Sequence, residues 1–202
     1  MKKTAAILAL AALGLASQAM AQQSPWQVRA RAVHINTADK SDPVGGAGAA
    51  NQITVSNKTI AEVDITYFLS PNLAAELILT YPQKHDVSLS GSKIGTFKHL
   101  PPTLTLQYHF TPAAQLSPYV GAGINYTRIG SVKLLNGAGD LENDSVGLAL
   151  QAGVDFKIDK NWSINFDVKK VQIRSDVFVG GAKVSAVKLD PVLVGVGVGY
   201  RF

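Results

Sequence analysis

Residues 192–202 read Val-Leu-Val-Gly-Val-Gly-Val-Gly-Tyr-Arg-Phe. Every second position, from Val192 to Phe202, carries an aliphatic or aromatic side chain, and the positions between them are mostly glycine. Successive side chains of a β-strand point to opposite sides of the strand. This period of two therefore predicts a strand with one apolar face and one face of small or polar residues.

The same alternation recurs in seven other segments of the chain. They are residues 26–32, 61–69, 75–81, 103–110, 120–127, 146–157 and 162–169. In each segment one face is aliphatic or aromatic, and the other is mostly Gly, Ser, Thr, Asn, Gln or charged. Eight strands make an even number, as expected for an antiparallel up-and-down barrel.

The connections between these segments alternate in length. The short ones are residues 70–72, 111–117 and 159–161, and the long ones are 37–58, 82–101, 129–145 and 174–186. Short periplasmic turns and longer extracellular loops are typical of outer-membrane barrels. Aromatic residues of the apolar face also fall near the strand ends, which matches the aromatic belts of such barrels. They are Trp26, Tyr67, Tyr81, Phe110, Tyr126, Phe156, Trp162, Tyr200 and Phe202.

Alternation alone does not decide which face of a barrel points inward. In a soluble eight-stranded barrel, such as a lipocalin, the apolar face points inward. Here the polar face is rich in Gly, Ser and Thr, which suits a narrow interior, and the aromatic residues of the apolar face lie at regular heights. We therefore expect an all-β, eight-stranded antiparallel transmembrane barrel whose apolar face contacts lipid.

The first 21 residues have the features of a cleaved secretory signal peptide. Lys2 and Lys3 precede an apolar run, and Ala19 and Ala21 supply the small residues of a cleavage site. Residues 22–202 then form the barrel. The chain has no cysteine and is 47% hydrophobic and 16% charged, which excludes a disordered chain and a disulfide-stapled mini-protein. Removal of the two lysines lowers the net charge from +5 to +3, too little to indicate a nucleic-acid partner.

Several motifs of the predicted barrel resemble the OmpW family of small outer-membrane proteins. They are His-Leu-Pro-Pro-Thr-Leu at 99–104, Pro-Tyr-Val-Gly-Ala-Gly-Ile-Asn-Tyr-Thr at 118–127, Ala-Gly-Val-Asp at 152–155, Leu-Asp-Pro at 189–191 and Gly-Tyr-Arg-Phe at 199–202. Arg29, Glu76 and Pro82 also fit the family pattern. The resemblance implies a monomeric barrel in a Gram-negative outer membrane that takes up small hydrophobic molecules passively. It also implies that these molecules leave sideways through an opening in the barrel wall.

The inward face of the predicted barrel carries many charged residues. An eight-stranded barrel is only wide enough for side chains to fill it, and an isolated buried charge is very costly, so these residues must pair. We expect most of them to form a plug toward the short turns, which an apolar solute cannot cross. The predicted plug consists of Arg29, Arg31, Glu62, Asp64, Glu76, Asp155 and Asp167.

Toward the long loops the inward face is less charged, and we expect it to line the solute route. The predicted lining consists of Ile78, Thr80, Thr103, Thr105, Lys169 and Leu193. Lys169 departs from the family pattern, in which this position often holds a large aromatic residue. A lysine here is expected to pair with Glu76 or Asp167, or to bind an anionic head group.

Prolines lie near the outer ends of three predicted strands. Pro82, Pro101 and Pro102 flank the third and fourth strands, and Pro191 precedes the last. Proline has no N–H group to donate to a strand ladder. Two interpretations remain open: these prolines only end the strands, or Pro82, Pro101 and Pro102 mark a lateral opening beside the third strand.

Two other functions are compatible with a small outer-membrane barrel. A structural or adhesive barrel with a closed lumen would bind partners through its loops, of which 37–58 is long and rich in Gly, Ala and Asn. An enzyme would need serine, histidine and an acid aimed together, but His85, Asp86 and Ser88 have no recognised spacing. The four histidines also lack the spacing of metal ligands. We therefore expect no catalysis, metal or cofactor, and we expect membrane lipids and small hydrophobic solutes as partners.

Overall fold

The computed structural model describes residues 24–202, so the predicted signal peptide lies outside the described residues. The described chain contains 15 β-strands. In chain order they are β1 (Trp26–Asn36), β2 (Lys40–Ser41), β3 (Ile53–Val55), β4 (Lys58–Phe68), β5 (Leu73–Thr80), β6 (Gln83–Leu89), β7 (Ser92–Leu100), β8 (Thr103–His109), β9 (Leu116–Leu134), β10 (Gly139–Leu141), β11 (Asp144–Lys157), β12 (Trp162–Val171), β13 (Arg174–Val179), β14 (Ala182–Lys188) and β15 (Val192–Arg201). Short 3-10 turns cover Val44–Gly46 and Leu135–Gly137.

Eight of these strands form a closed antiparallel barrel. Around the ring their order is β1, β4, β5, β8, β9, β11, β12 and β15, and β15 pairs with β1 to close it. Each of the eight corresponds to one of the segments with alternating polarity. The predicted eight-stranded up-and-down barrel is therefore confirmed.

The long connections contain further strands, which the alternation of polarity did not predict. β6 and β7 form one hairpin and β13 and β14 form another, while β2 and β3 add short edges. β9 runs on to Leu134, seven residues beyond the predicted end of that strand. These elements extend the barrel wall past the membrane on one side. Their turns contain residues with positive φ, such as Ser90 and Gly91, which explains why they look like loops in the sequence.

The apolar face of the barrel points outward and the polar face points inward. Leu106 on β8 is 50% exposed, whereas Arg29 on β1 is fully buried. On β9 the lipid-facing band runs from Leu116 to Tyr126, about 33 Å along the strand at 3.3 Å per residue. A strand tilt near 40° reduces this length to about 25 Å, the height of the apolar band of outer-membrane barrels. The transmembrane interpretation is confirmed, and the inward-apolar alternative is wrong.

Glycines on the inward face allow the interior to be packed tightly. A Cβ atom at Gly199 would lie 2.8 Å from Ser163 Oγ and 2.9 Å from Gln27 Nε2. Crowding of the interior therefore accounts for the Gly195-x-Gly197-x-Gly199 pattern, as expected from the narrow bore.

The described residues include no helix with the length and apolar character of a membrane span.

Candidate functional site in the barrel interior

Arg29 lies in a buried ion-pair network inside the barrel. Its Nη2 donates to Asp155 Oδ2 at 2.7 Å and its Nε to Asp155 Oδ1 at 3.2 Å. Its Nη1 donates to Thr66 Oγ1 at 2.9 Å and to Asp64 Oδ1 at 3.2 Å. Asp64 and Thr66 lie on the neighbouring strand β4, whereas Asp155 lies on β11. The guanidinium group therefore crosses the bore and ties non-adjacent strands together.

Arg31 extends this network by one inward position on β1. Its Nη1 donates to Glu62 Oε1 at 2.9 Å, and its Nη2 donates to Glu76 Oε1 at 2.9 Å. Its Nε donates to Asn165 Oδ1 at 2.7 Å. Glu76 also lies 3.4 Å from Arg29, so both arginines share this carboxylate. Such charge-assisted contacts are the strong class of hydrogen bonds, and here they are removed from water.

Lys169 also belongs to the network. Its Nζ lies 2.6 Å from Glu62 Oε1 and 3.0 Å from Asp167 Oδ1. Asp167 was one of the two expected carboxylate partners, but Glu62 replaces Glu76 as the other. The lysine is buried, so it does not reach an anionic head group at the surface. All seven residues of the predicted plug thus lie in one connected cluster together with Lys169.

Besides Thr66, three further polar residues that were not candidates from the sequence bind carboxylates of the cluster. The Tyr119 hydroxyl and Gln151 Nε2 each donate to Asp167 Oδ2 at 2.7 Å, and Asn165 Nδ2 donates to Asp155 Oδ1 at 2.9 Å. Gln151 and Asn165 already lay on the polar face of the alternation, so attention to charge alone missed them. Tyr119 would have been found by extending the fifth segment one residue toward the N-terminus.

The network separates two cavities inside the barrel. The cavity at the short-turn end is bordered by Gln27, His109 and Arg201, and the other lies toward the hairpin extensions. Each has a volume of about 30 Å³. That is room for roughly two water molecules, at about 10–15 Å³ each. A solute of several carbon atoms therefore enters either cavity only if the lining side chains move.

The cavity on the extension side, called the upper cavity below, has a mainly apolar lining. Five of the six predicted lining residues border it, namely Ile78, Thr80, Thr103, Lys169 and Leu193. Thr105 is the exception and is a correction to the predicted lining. Its hydroxyl donates to Glu76 Oε2 at 3.1 Å, so Thr105 belongs to the charged network instead.

The strand ladder is interrupted beside the upper cavity. The pairing of β5 with β8 ends at Ile78 and Thr103, and the pairing of β6 with β7 begins only at Gln83 and His99. Between these two pairs lie residues 79–82 on one side and 100–102 on the other. Thr80 and Pro101 border both this interruption and the upper cavity. The cavity therefore meets the wall where the wall lacks strand pairing.

The prolines of the predicted opening differ in how they are placed in the wall. Tyr126 N–H donates to the carbonyl of Pro102, so the backbone polar groups of Pro102 face β9. Because backbone polar groups alternate in direction along an extended chain, we infer that the nitrogen of the neighbouring Pro101 points away from β9, toward β5. Pro82 lies between β5 and β6. Pro101 is therefore the proline whose missing N–H removes a bond across the interruption.

Pro191 does not interrupt the wall. Its carbonyl accepts the N–H of Val171 at 3.1 Å, and Leu189 N–H donates to the carbonyl of Ile173 at 2.9 Å. The backbone contacts between β12 and the chain leading into β15 thus continue past this proline. Pro191 therefore only marks the start of a strand and does not mark an opening in the wall.

The residues that an enzyme would need are not brought together. His85 faces inward, with its Nδ1 2.7 Å from the carbonyl oxygen of Ser56. Asp86 lies on the exposed surface and pairs with Lys93 at 2.8 Å. No group of three His, Cys, Asp or Glu side chains within residues 24–202 is placed to hold a metal ion.

Comparison with known proteins gives a consistent set of relatives. An uncharacterized outer-membrane protein of Sinorhizobium fredii, y4mB, is 44% identical over 186 residues, covering 89% of this chain and 80% of the relative. Outer membrane protein W of Vibrio cholerae is 33% identical over 220 residues and covers both chains fully. A Pseudomonas aeruginosa protein named for a dibenzothiophene metabolism operon, PahQ, is 27% identical and covers 93% of both chains.

The fold also matches a solved structure. The crystal structure of the outer membrane protein OprG from Pseudomonas aeruginosa superimposes with a TM-score of 0.79 at 26% identity, covering 89% of this chain and 97% of OprG. The relatives named as outer-membrane proteins place this barrel in the outer membrane. The OmpW family model matches residues 22–202, which is the whole predicted mature chain. The chain therefore belongs to the OmpW family of outer-membrane proteins.

Proposed function

We propose that this barrel is a monomeric, passive channel for small hydrophobic molecules. A solute enters the upper cavity from the side of the hairpin extensions, which faces the cell exterior, and leaves sideways into the membrane between β5 and β8. The short turns then face the periplasm. The observation that carries this proposal is the position of the upper cavity. On one side, the upper cavity reaches the part of the wall where β5 and β8 no longer pair. On another side, it is closed by Glu62 and Lys169 of the charged network.

The energetic argument separates the two possible exits. Passage through the network would require an apolar solute to disrupt several buried ion pairs, and breaking even one such pair is expensive. Passage through the wall meets lipid, which is as apolar as the solute. The name of PahQ links that relative to the metabolism of dibenzothiophene, an apolar aromatic heterocycle, which is in keeping with an apolar substrate class here.

The first test of this function fills the upper cavity. Ile78→Trp places a larger side chain in a space of about 30 Å³, so uptake of a fluorescent apolar solute should fall toward that of cells without the protein. Leu77→Trp is the matched control, because Leu77 is the next residue of β5 and faces lipid. Surface levels of the variants are matched before uptake is measured.

The outcomes of this test discriminate between the candidate functions. Loss of uptake in Ile78→Trp, with normal uptake in Leu77→Trp, supports a route through the upper cavity. If the unmodified protein itself gives no more uptake than cells lacking it, the channel function is wrong. The alternative is then a closed structural or adhesive barrel whose loop 37–58 binds partners.

The second test repairs the interrupted ladder. Pro101→Val supplies an N–H that can donate across to the backbone of Thr80, and valine favours extended backbone. One neutral hydrogen bond contributes about 1 kcal/mol, so the population with an open wall, and with it uptake, should fall about fivefold.

Pro102→Val is the control for this repair. Its new N–H would face β9, so it should leave uptake near the unmodified level. Equal uptake by Pro101→Val and the unmodified protein, at matched surface levels, would argue against a lateral exit at this position. Hydrogen exchange of the backbone amide that Pro101→Val introduces reports whether the new bond forms.

A further inference from the structure

Three aromatic rings form a stack on the extension side of the upper cavity. The ring centroids of His85 and His99 lie 4.8 Å apart at an interplanar angle of 15°, and those of His85 and Phe97 lie 5.8 Å apart at 24°. All three side chains point inward from the β6–β7 hairpin and are almost fully buried. His99 borders the upper cavity, and Phe97 borders a third cavity, apolar and about 20 Å³ in volume, within the extension. The stack therefore lies between two apolar spaces.

Polar atoms at this stack have no hydrogen-bond partner. They are Nε2 of His85, Nδ1 of His99 and Oε1 of Gln83, and all three are buried. Gln83 lies directly opposite His99 in the β6–β7 ladder, and its Nε2 donates to the carbonyl of Tyr81 at 2.7 Å. The three atoms thus occupy neighbouring inward positions of one hairpin.

The hydrogen-bonding character of His85 follows from its contact with Ser56. The carbonyl oxygen of Ser56 only accepts, so His85 Nδ1 must carry the hydrogen, and Nε2 of the neutral ring is left as an acceptor. Burial lowers the pKa of His85, and it lowers the pKa of His99 to about 3. Both rings are therefore neutral near pH 7, and each has one nitrogen that donates a hydrogen bond and one that accepts. Gln83 Oε1 adds a second acceptor.

Buried polar atoms in proteins nearly always have a partner, and those without one need an explanation. We propose that Gln83, His85 and His99 form a polar subsite for the hydroxyl group of a small, otherwise apolar alcohol or phenol. The hydroxyl donates to His85 Nε2 or Gln83 Oε1, and its oxygen accepts the N–H of the neutral His99 ring at Nδ1. The apolar body of the molecule occupies the adjoining cavities. This inference rests on the proposed channel function and narrows its substrate class from small hydrophobic molecules in general to apolar molecules that carry one hydroxyl group.

The test uses p-cresol and p-xylene, which differ only by a hydroxyl group in place of a methyl group. The full barrel in lipid nanodiscs, with ¹⁵N-labelled histidine, is titrated with each compound. The imidazole signals of His85 and His99 should shift with p-cresol and remain unchanged with p-xylene. If p-cresol leaves both signals in place, or acts no differently from p-xylene, the polar subsite is wrong. This measurement needs no variant and no transport.

Variants then identify the residues responsible. His99→Phe keeps the stacked ring and removes its nitrogens, and Gln83→Met keeps the length of the side chain and removes its amide. Each should weaken p-cresol binding about fivefold, the effect of one lost neutral hydrogen bond, with p-xylene binding unchanged. His34→Phe is the control, because His34 faces outward on β1. Equal loss of both compounds would indicate a packing defect and contradict the subsite.

The same two compounds separate this inference from the channel function. Histidine signals that respond to p-cresol, combined with uptake no greater than in cells lacking the barrel, would contradict the channel and retain the subsite. Uptake of both compounds that depends on Ile78, combined with unresponsive histidine signals, would retain the channel and contradict the subsite.

Discussion

Arg29→Leu is expected to destabilise the barrel by about 3–5 kcal/mol, the cost of breaking a buried ion pair by removing one partner. The substitution leaves Asp155 without its two hydrogen bonds from the guanidinium group, and it removes a cation from beside Asp64 and Glu76. These carboxylates are almost fully buried, so water does not replace the lost partner. The measurement is the urea midpoint for unfolding of the protein from lipid vesicles.

Two controls test the cause of this loss. Arg29→Leu combined with Asp155→Leu removes both partners, so it should recover part of the lost stability. Lys93→Leu breaks the exposed ion pair with Asp86 and should cost at most about 1 kcal/mol. An Arg29→Leu barrel that unfolds at the same urea concentration as the unmodified protein would show that the network does not stabilise the interior.

Leu106→Arg is expected to cost about 2–4 kcal/mol, the penalty for an arginine at the midplane of a membrane barrel. Leu106 is 50% exposed and pairs with Ala75 and Ala122, in the central part of the lipid-facing band. An arginine there must move its charge toward the membrane surface or draw water into the apolar layer. Folding yield and unfolding free energy in lipid vesicles measure the effect.

The matched control is Leu116→Arg. Leu116 has the same type of side chain and a similar exposure, but it lies at the short-turn edge of the band. An arginine near the interface costs at most about 1 kcal/mol. If the two variants insert and unfold alike, the height assigned to Leu106 in the membrane is incorrect.

The wall of the barrel could be predicted because alternation is a local signal. Apolar side chains occupy every second position from Val146 to Phe156, and the positions between them hold small or polar residues. The hairpin extensions could not be found in this way, because turns such as Ser90–Gly91 and Gly180–Gly181 interrupt shorter and more polar strands. Their inward faces form an apolar core that includes Phe97 and Leu134, a pattern that is visible only once β7 pairs with β9.

The sequence predicted which charged side chains point into the barrel, but it did not predict which of them pair with each other. The alternation put Lys169 inside the barrel, yet it did not show that Glu62, 107 residues away, would be its partner. The same limit applies to Thr105, which was expected to line the solute route and instead binds Glu76. The height of a side chain along the barrel axis depends on strand register and tilt, and the sequence of a single strand determines neither.

The amino-acid sequence by itself determined that the chain is a membrane barrel with a polar interior. A period of two over eight segments leaves one face for lipid and one for the bore, and this requires only neighbouring residues. The tertiary structure decided which side chains meet in that bore and where the wall is open. Arg29 reaches Asp155 across the bore, and Thr80 and Pro101 border one cavity where the pairing of β5 with β8 has ended, only because ring closure and the Ile78–Thr103 register set their relative heights.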